Sequence, residues 1–372
     1  MRVLVAPGAF GGTLSASAAG EAIASGWART SPGDTVDVVP MAGADQGFVE
    51  ALHASCGGDR LEVDARGPFG GPVRGLVLLL DDAGLRTAYV DSASVCGPDG
   101  EARRAPEDAS TAGVGDLVAA AIEAGAARVV VGLGAGIATD GGAGMLGALG
   151  ARADVPLDAG PAGLVGVTSV DLDAVRAQLG HTELVVATDV ASPLLGLFGA
   201  VRADGPGKGL DEAAVARVDR VLDAYVVAVC GGEPARRRIA DLPGAGAGGG
   251  LGFALLALGA SVQPGVATVA DRVGLATAAR VSDLVLTGTG AYDVTSREGT
   301  VVFGVASVAG DALRPCVVLA DRVEVGARER RAMGVEAAYA IADLEGAERF
   351  ASDPAGALVG LAARVARTWS PL

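Results

Sequence analysis

The residues best suited by type and spacing to do chemistry gather around one glycine-rich stretch, Gly132-Leu133-Gly134-Ala135-Gly136-Ile137-Ala138-Thr139-Asp140-Gly141-Gly142-Ala143-Gly144. It follows a short apolar β run, 129–131, and leads into an apolar helix expected over 143–149. Strand, glycine loop and helix together bring backbone N–H groups up to an anion. Glycine permits close approach, and the helix N-terminus adds partial positive charge. Gly132, Gly134, Gly141 and Gly142 form the candidate cradle, with Asp140 expected at the mouth of the turn. The same residues would also serve a tight βα connection that holds no ligand, so the pattern is a hypothesis until its context is known.

A second run, Gly244-Ala245-Gly246-Ala247-Gly248-Gly249-Gly250, opens another apolar helix, 251–259. Both runs are expected to line one cleft, with Gly244, Gly246 and Gly248 as binding residues. Lys208, in Gly205-Pro206-Gly207-Lys208-Gly209, is the only lysine among 29 basic residues. Lysine is a compact point charge and a common phosphate binder, which arginine's planar fork does not replace. Chance survival on a loop is the competing explanation.

The elements that must position these residues alternate. Strands are expected at 2–7 and 35–40, with a helix between them capped by Thr13 or Ser15 and a further helix at 48–54. That spacing suggests a parallel, doubly wound unit with ligands at the carboxyl ends of its strands. Residues 60–95 read as an antiparallel meander of strands 61–63, 73–80 and 86–90. Helices follow at 115–124, capped near Thr111, at 171–179, 211–230 and 268–280, and at the end over 354–368. Strands are expected at 184–187, 284–288 and 315–320, and a short helix at 326–332.

With 372 residues, 50% hydrophobic and 20% charged, the chain has material for two cores. The βα patterning at both ends and the strand-rich middle divide it as 1–48 plus 275–372, with 49–274 inserted. A net charge of −15 argues against a nucleic-acid partner. The first apolar run is too short for a signal peptide. Segment 242–262 has the length of a membrane span, but its glycine-alanine first half makes it a loop and a buried helix. No membrane partner is expected, and the location is cytoplasmic. Cys56, Cys96, Cys230 and Cys316 show no Cys-x-x-Cys spacing, which fits reduced thiols. His53 and His181, the only histidines, have no partner at metal-ligand spacing.

The central stretch resembles the motif of the bacterial type-1 glycerate kinases, Gly-Ile-Gly-Gly-Ser-Ala-Thr-Asn-Asp-Gly-Gly-Ala-Gly-Met. Gly136 stands for its serine and Thr139 for its asparagine. Further matches run in order along nearly the whole chain: Ala6 to Ser15, Thr111 to Leu117, Asp189 to Gly196, Gly205 to Gly209, Pro243 to Gly252, and Thr287-Gly288-Thr289-Gly290-Ala291-Tyr292-Asp293. The resemblance implies an α/β fold of two domains, one flavodoxin-like and one resembling a restriction-endonuclease core. It implies ATP-dependent phosphorylation of glycerate, with Mg²⁺ and ATP as cofactors and a nucleotide and a hydroxy acid as partners.

Gly288 and Gly290 join the binding residues on this resemblance. Asp189 and Asp293 follow strand ends, where ligand-facing residues belong. With Lys208 they are the candidate catalytic residues. In a kinase one carboxylate would hold Mg²⁺ and another accept the hydroxyl proton; helix capping is the alternative for each. The metal ligands and oligomeric state stay open. Charged positions of the pattern are missing: Gly8 and Gly11 in the first loop, Gly43-Ala44-Asp45-Gln46 in the second, Thr289 and Ala291 in the third, and Thr300 later. Phosphoryl transfer depends on neutralising charge on the moving group. An active glycerate kinase would then have Asp45 in place of a lost acid and Lys208 carrying the phosphate contact alone; the alternatives are a homologue that binds or regulates without catalysis, or a kinase for a different hydroxylated substrate.

Overall fold

A computed structural model describes residues 1–45, 47–82, 84–97, 106–134, 136–231, 233–297 and 299–370. Gln46 and Ala135, both quoted above, lie outside the described residues. Strands run in chain order as β1 (Arg2–Val5), β2 (Thr35–Val38), β3 (Asp59–Arg66), β4 (Pro72–Asp82), β5 (Leu85–Asp91), β6 (Arg128–Gly132), β7 (Arg152–Ala153), β8 (Val170–Asp171), β9 (Glu183–Ala187), β10 (Ser261–Gln263), β11 (Leu284–Tyr292), β12 (Cys316–Val323) and β13 (Ala337–Ala340). By contacts the chain divides into two compact units. The first is Met1–Gly43, Glu50–Gly57 and Gly265–Leu372; the second is Ala44–Val49 and Gly58–Pro264.

The first unit holds a five-stranded sheet in the order β13-β12-β11-β1-β2, parallel throughout. Numbered within the unit this is 2-1-3-4-5, and the order reverses between β1 and β11. Ligands of open parallel sheets bind beyond the carboxyl ends of the strands at such a reversal. One face is covered by two helices that pack on each other, Ala16–Thr30 and Pro354–Trp369. Ile23 and Trp27, four apart, bury one face of the first; Leu358, Leu361, Ala362 and Val365 bury one face of the second. Ser15 caps the first helix through the Ala18 N–H at 3.2 Å, and Asp353 caps the second through the Gly356 N–H at 3.0 Å.

The second unit holds a mixed six-stranded sheet, β10-β9-β6-β5-β4-β3. Strands β3, β4 and β5 form the expected antiparallel meander, and β5, β6, β9 and β10 are parallel. Val129, Val130 and Val131 are all buried, the continuous apolar run of a strand covered on both faces.

Several elements depart from the expectations. The helix expected at 268–280 is two helices, Gly265–Arg272 and Leu275–Val281, broken at Gly274, whose φ is +69°. Residues 170–171 begin no helix; they pair with Arg152–Ala153 as a small antiparallel ribbon. The helices Ala200–Asp204 and Val301–Asp311 and the strands β10 and β13 were not anticipated. No helix among the described residues is long and apolar enough to cross a membrane.

Candidate functional site

In the second unit, the loop after β6 is built around Asp140, and the carboxylate is not at the mouth of the turn. It is fully buried. Its Oδ2 accepts from the N–H groups of Thr111 (2.8 Å) and Gly144 (3.0 Å), and its Oδ1 from that of Gly142 (2.9 Å). The Thr111 hydroxyl lies 3.0 Å from both oxygens and accepts the Met145 N–H at 3.1 Å. Thr111 therefore does not cap its own helix, Ala112–Glu123; Ser110 takes the Ala112 N–H instead, at 3.2 Å. Asp140 closes the first turns of two helices, Ala112–Glu123 and Ala143–Ala148, whose leading N–H groups have no partner within the helix. Burial pushes its carboxyl above the usual range, and these donors oppose that push. Asp140 is a clamp on the loop, buried beneath it where the mouth of the turn was expected.

The two glycine runs meet each other. The Gly141 N–H donates to the Gly249 carbonyl at 3.1 Å. Gly142 has φ +77°, and a side chain there would run into Ala254. Gly248, Gly249 and Gly250 follow one another with φ of +59°, +68° and +98°, a left-handed turn that only glycine adopts cheaply. Helical geometry begins after it. Gly244 and Gly246 back onto the segment after β9: Gly246 donates to the Ser192 carbonyl at 3.0 Å, and a side chain at Gly244 would approach Thr188 Cγ2 to 3.3 Å. Gly132 and Gly134 pack against Ala44, Asp45 and Phe48, with Phe48 Cδ1 2.7 Å from where a Gly132 side chain would start. The glycines expected as an open cradle are thus largely spent on loop-against-loop packing, with Gly134 and Gly248 half-buried and the others buried.

Lys208 joins this assembly. It ends a short 3₁₀ turn, Pro206–Lys208, and its Nζ donates to the Ala138 carbonyl at 2.9 Å and lies 3.4 Å from Thr139 Oγ1. Burial pushes its ammonium below the usual lysine range, while Asp204 and Asp140 pull it back up. Among the described residues two of its three N–H groups are so directed. Asp189, half-buried, follows β9 in the segment against which Gly244 and Gly246 pack.

In the first unit, Gly8 donates to the Gly288 carbonyl at 2.9 Å, and Phe10 fills the space beside Gly288 and Gly290. Gly11 and Gly12, at the tip of that loop, are exposed, with open space beside each. Asp293 follows β11; its Oδ1 accepts from the Thr295 N–H at 2.8 Å and the Thr295 hydroxyl at 2.6 Å. These bonds, the hydroxyl first, hold its carboxyl below the usual range, and Arg322 adds to the effect. Among the described residues Oδ2 receives no hydrogen bond. Thr300 caps the helix Val301–Asp311 through the Phe303 N–H at 3.4 Å. Asp189 and Lys208 thus belong to one unit and Asp293 to the other.

Sequence reasoning overlooked the roles of Thr139, Thr295 and Arg322 and took Thr111 for a plain cap. Thr139 and Thr295 carry a weak signal, a hydroxyl next to or two residues from an acid at a loop start. Among the described residues no three His, Cys, Asp or Glu side chains are grouped to hold a metal.

The sequence matches the Glycerate kinase family over residues 3–370. It is 40% identical to an uncharacterized protein of Mycobacterium bovis, across 98% of this chain and 91% of the relative. It is 34% identical to the glycerate kinase of Bacillus subtilis, across 92% and 90% of the two chains. The fold matches a crystal structure of a protein assigned as glycerate kinase 2 from Salmonella typhimurium LT2, with a TM-score of 0.82 and 31% identity over 99% of this chain and 98% of the other. With a family match over nearly its whole length and relatives above 30% identity, the chain belongs to the glycerate kinase family.

Proposed function

We propose that the chain transfers the terminal phosphoryl group of ATP to a hydroxyl of glycerate or a closely similar hydroxy acid, as a cytoplasmic enzyme. The observation that carries this reading is the placement of Lys208: the chain's only lysine rests on the loop that Asp140 clamps, with one N–H undirected among the described residues. Phosphoryl transfer is chiefly positioning and charge neutralisation, and a fixed cation is the minimum it needs from the protein. Family membership supports the reaction class. The strand order 2-1-3-4-5 supports reading the first unit as flavodoxin-like. We read the inserted unit as the domain resembling a restriction-endonuclease core.

In this mechanism Lys208 directs its remaining N–H to a phosphoryl oxygen. The clamped loop keeps that ammonium from drifting. Asp189 or Asp293 takes the proton of the acceptor hydroxyl as its oxygen bonds to phosphorus and the bond to ADP breaks. Mg²⁺ is held in kinases by one or two carboxylates together with substrate phosphates, without a dedicated protein cage. Either Asp293 of the first unit, ionised and with no hydrogen bond to Oδ2 among the described residues, or Asp189 of the second fits such a role; the ion would neutralise phosphate charge there.

Gly11 and Gly12 favour a second reading. A loop tip without a cation suits a less charged hydroxylated substrate, or a homologue that binds without transferring. A coupled ADP-release assay with Mg-ATP and glycerate, run beside other hydroxy acids and polyols, tests both. Turnover on glycerate supports the first reading; turnover only on a polyol, or binding without turnover, supports the second.

A further inference from the structure

In the first unit the carboxyl ends of the parallel strands converge where the strand order reverses, and an anion arriving there needs a cation. The segments that follow β1 and β2 within the unit, 6–15 and 39–43, contain no lysine or arginine, and neither does 341–346 after β13. Two arginines remain in the strand ends and loops of that edge, Arg297 and Arg322. The Nε of Arg297 is spent on its own loop, donating to the Val294 carbonyl at 3.0 Å.

Arg322 is arranged differently. It is the penultimate residue of β12, in register with Ala291 of β11, so the two side chains leave the same face of the sheet about 4.8 Å apart. Ala291 is short and leaves that face to the arginine. Asp293, two residues on, feels its charge. The nearest carboxylate oxygens to the guanidinium are Asp321 Oδ2 at 3.8 Å and Glu324 Oε1 at 3.9 Å, both beyond hydrogen-bond distance, and 58% of the side chain is exposed. Among the described residues no hydrogen bond holds it. Such loose, exposed pairs contribute little stability, so the five N–H donors stand ready for a planar or tetrahedral oxyanion.

We propose that Arg322 is the oxyanion-binding residue of the first unit, taking the carboxylate of a hydroxy acid or a phosphate of the nucleotide beside Asp293. The proposal rests on the phosphotransferase reading for its choice of ligands. A carboxylate and a phosphate share the chemistry Arg322 recognises, and the test separates them.

Full-length wild type, Arg322→Ala, Arg322→Lys and an equal-charge control on an exposed arginine, Arg152→Ala, are titrated by calorimetry with glycerate, ATP and inorganic phosphate. Thermal melts confirm that each is folded. Arg322→Ala weakens binding about tenfold or more, as loss of a charge-assisted contact does, while Arg322→Lys is intermediate and the control is unchanged. Loss confined to glycerate assigns the carboxylate; loss confined to ATP and phosphate assigns the nucleotide. Unchanged affinity for all three probes in Arg322→Ala, or no binding of any probe by wild type, overturns the inference even if the protein is an active kinase. Weakened binding in Arg322→Ala with no phosphate transfer by wild type sustains it while the kinase reading fails.

Discussion

Replacing Asp140 by alanine removes the acceptor for three backbone N–H groups, those of Thr111, Gly142 and Gly144, in a place fully closed to solvent. Each buried donor left without a partner costs about 1–3 kcal/mol. Three would total roughly 3–9 kcal/mol, and relaxation of the glycine loop favours the lower half of that range, about 4 kcal/mol. For a unit of about two hundred residues each kcal/mol lowers the melting temperature by about 2–4 °C, so the transition of this unit should fall by about 8–16 °C. Asp140→Asn keeps the shape and one acceptor but turns an amide donor toward a backbone donor. It should cost about 1–3 kcal/mol, or about 2–12 °C. Scanning calorimetry with near-ultraviolet circular dichroism reads both. If Asp140→Ala melts within about 2 °C of wild type and instead loses ATP binding, the clamp is wrong and the carboxylate belongs at the ligand.

Lys208→Ala should lower turnover on the preferred acceptor by about 100-fold or more, the scale of losing one charge-stabilising donor, with Lys208→Arg recovering little; a coupled ADP-release assay showing both unchanged refutes the role given to Lys208. Gly142→Val should unfold or strongly destabilise the second unit, because φ is +77° and a side chain meets Ala254; a soluble variant with a native melt would contradict the loop packing. Thr295→Val should raise the Asp293 pKa, since the Thr295 hydroxyl is the first cause of its lowered value; carboxyl-carbon NMR titration checks the direction. Where Asp293 takes the hydroxyl proton, the acidic limb of the pH–rate profile moves up with it.

The sequence displays what is local. The buried run 129–131, the Ser15 cap and the meander are written in short spacings, and the structure has all three. What it hides depends on residues brought from afar. Asp140 reads as exposed because its donors include Thr111, 29 positions upstream, and a carboxylate at a glycine turn looks the same whether it faces water or a helix end. The glycine runs look like two cradles, and only their contact, Gly141 on Gly249, reveals that each fills the other. Gly274 sits in an apolar helical pattern whose period continues across it, so the break is silent until φ is known. Arg322 gains its meaning from register with Ala291 on another strand, which no one-dimensional spacing carries.

The central position of β1 imposes an order on the birth of the molecule. Val3 pairs on one side with Val36 and on the other with Leu284, 281 residues later. At translation rates of about 5–20 residues per second, the second neighbour leaves the ribosome on the order of tens of seconds after the first. During that wait the inserted segment 58–264 has already emerged whole and has all its own sheet partners. Meanwhile β1 carries an open hydrogen-bonding edge with apolar Val3, Leu4 and Val5 beside it, the kind of edge that recruits other chains. A nascent chain stalled before residue 284 is therefore a finished insert attached to an unfinished host, and aggregation would begin at its first strand.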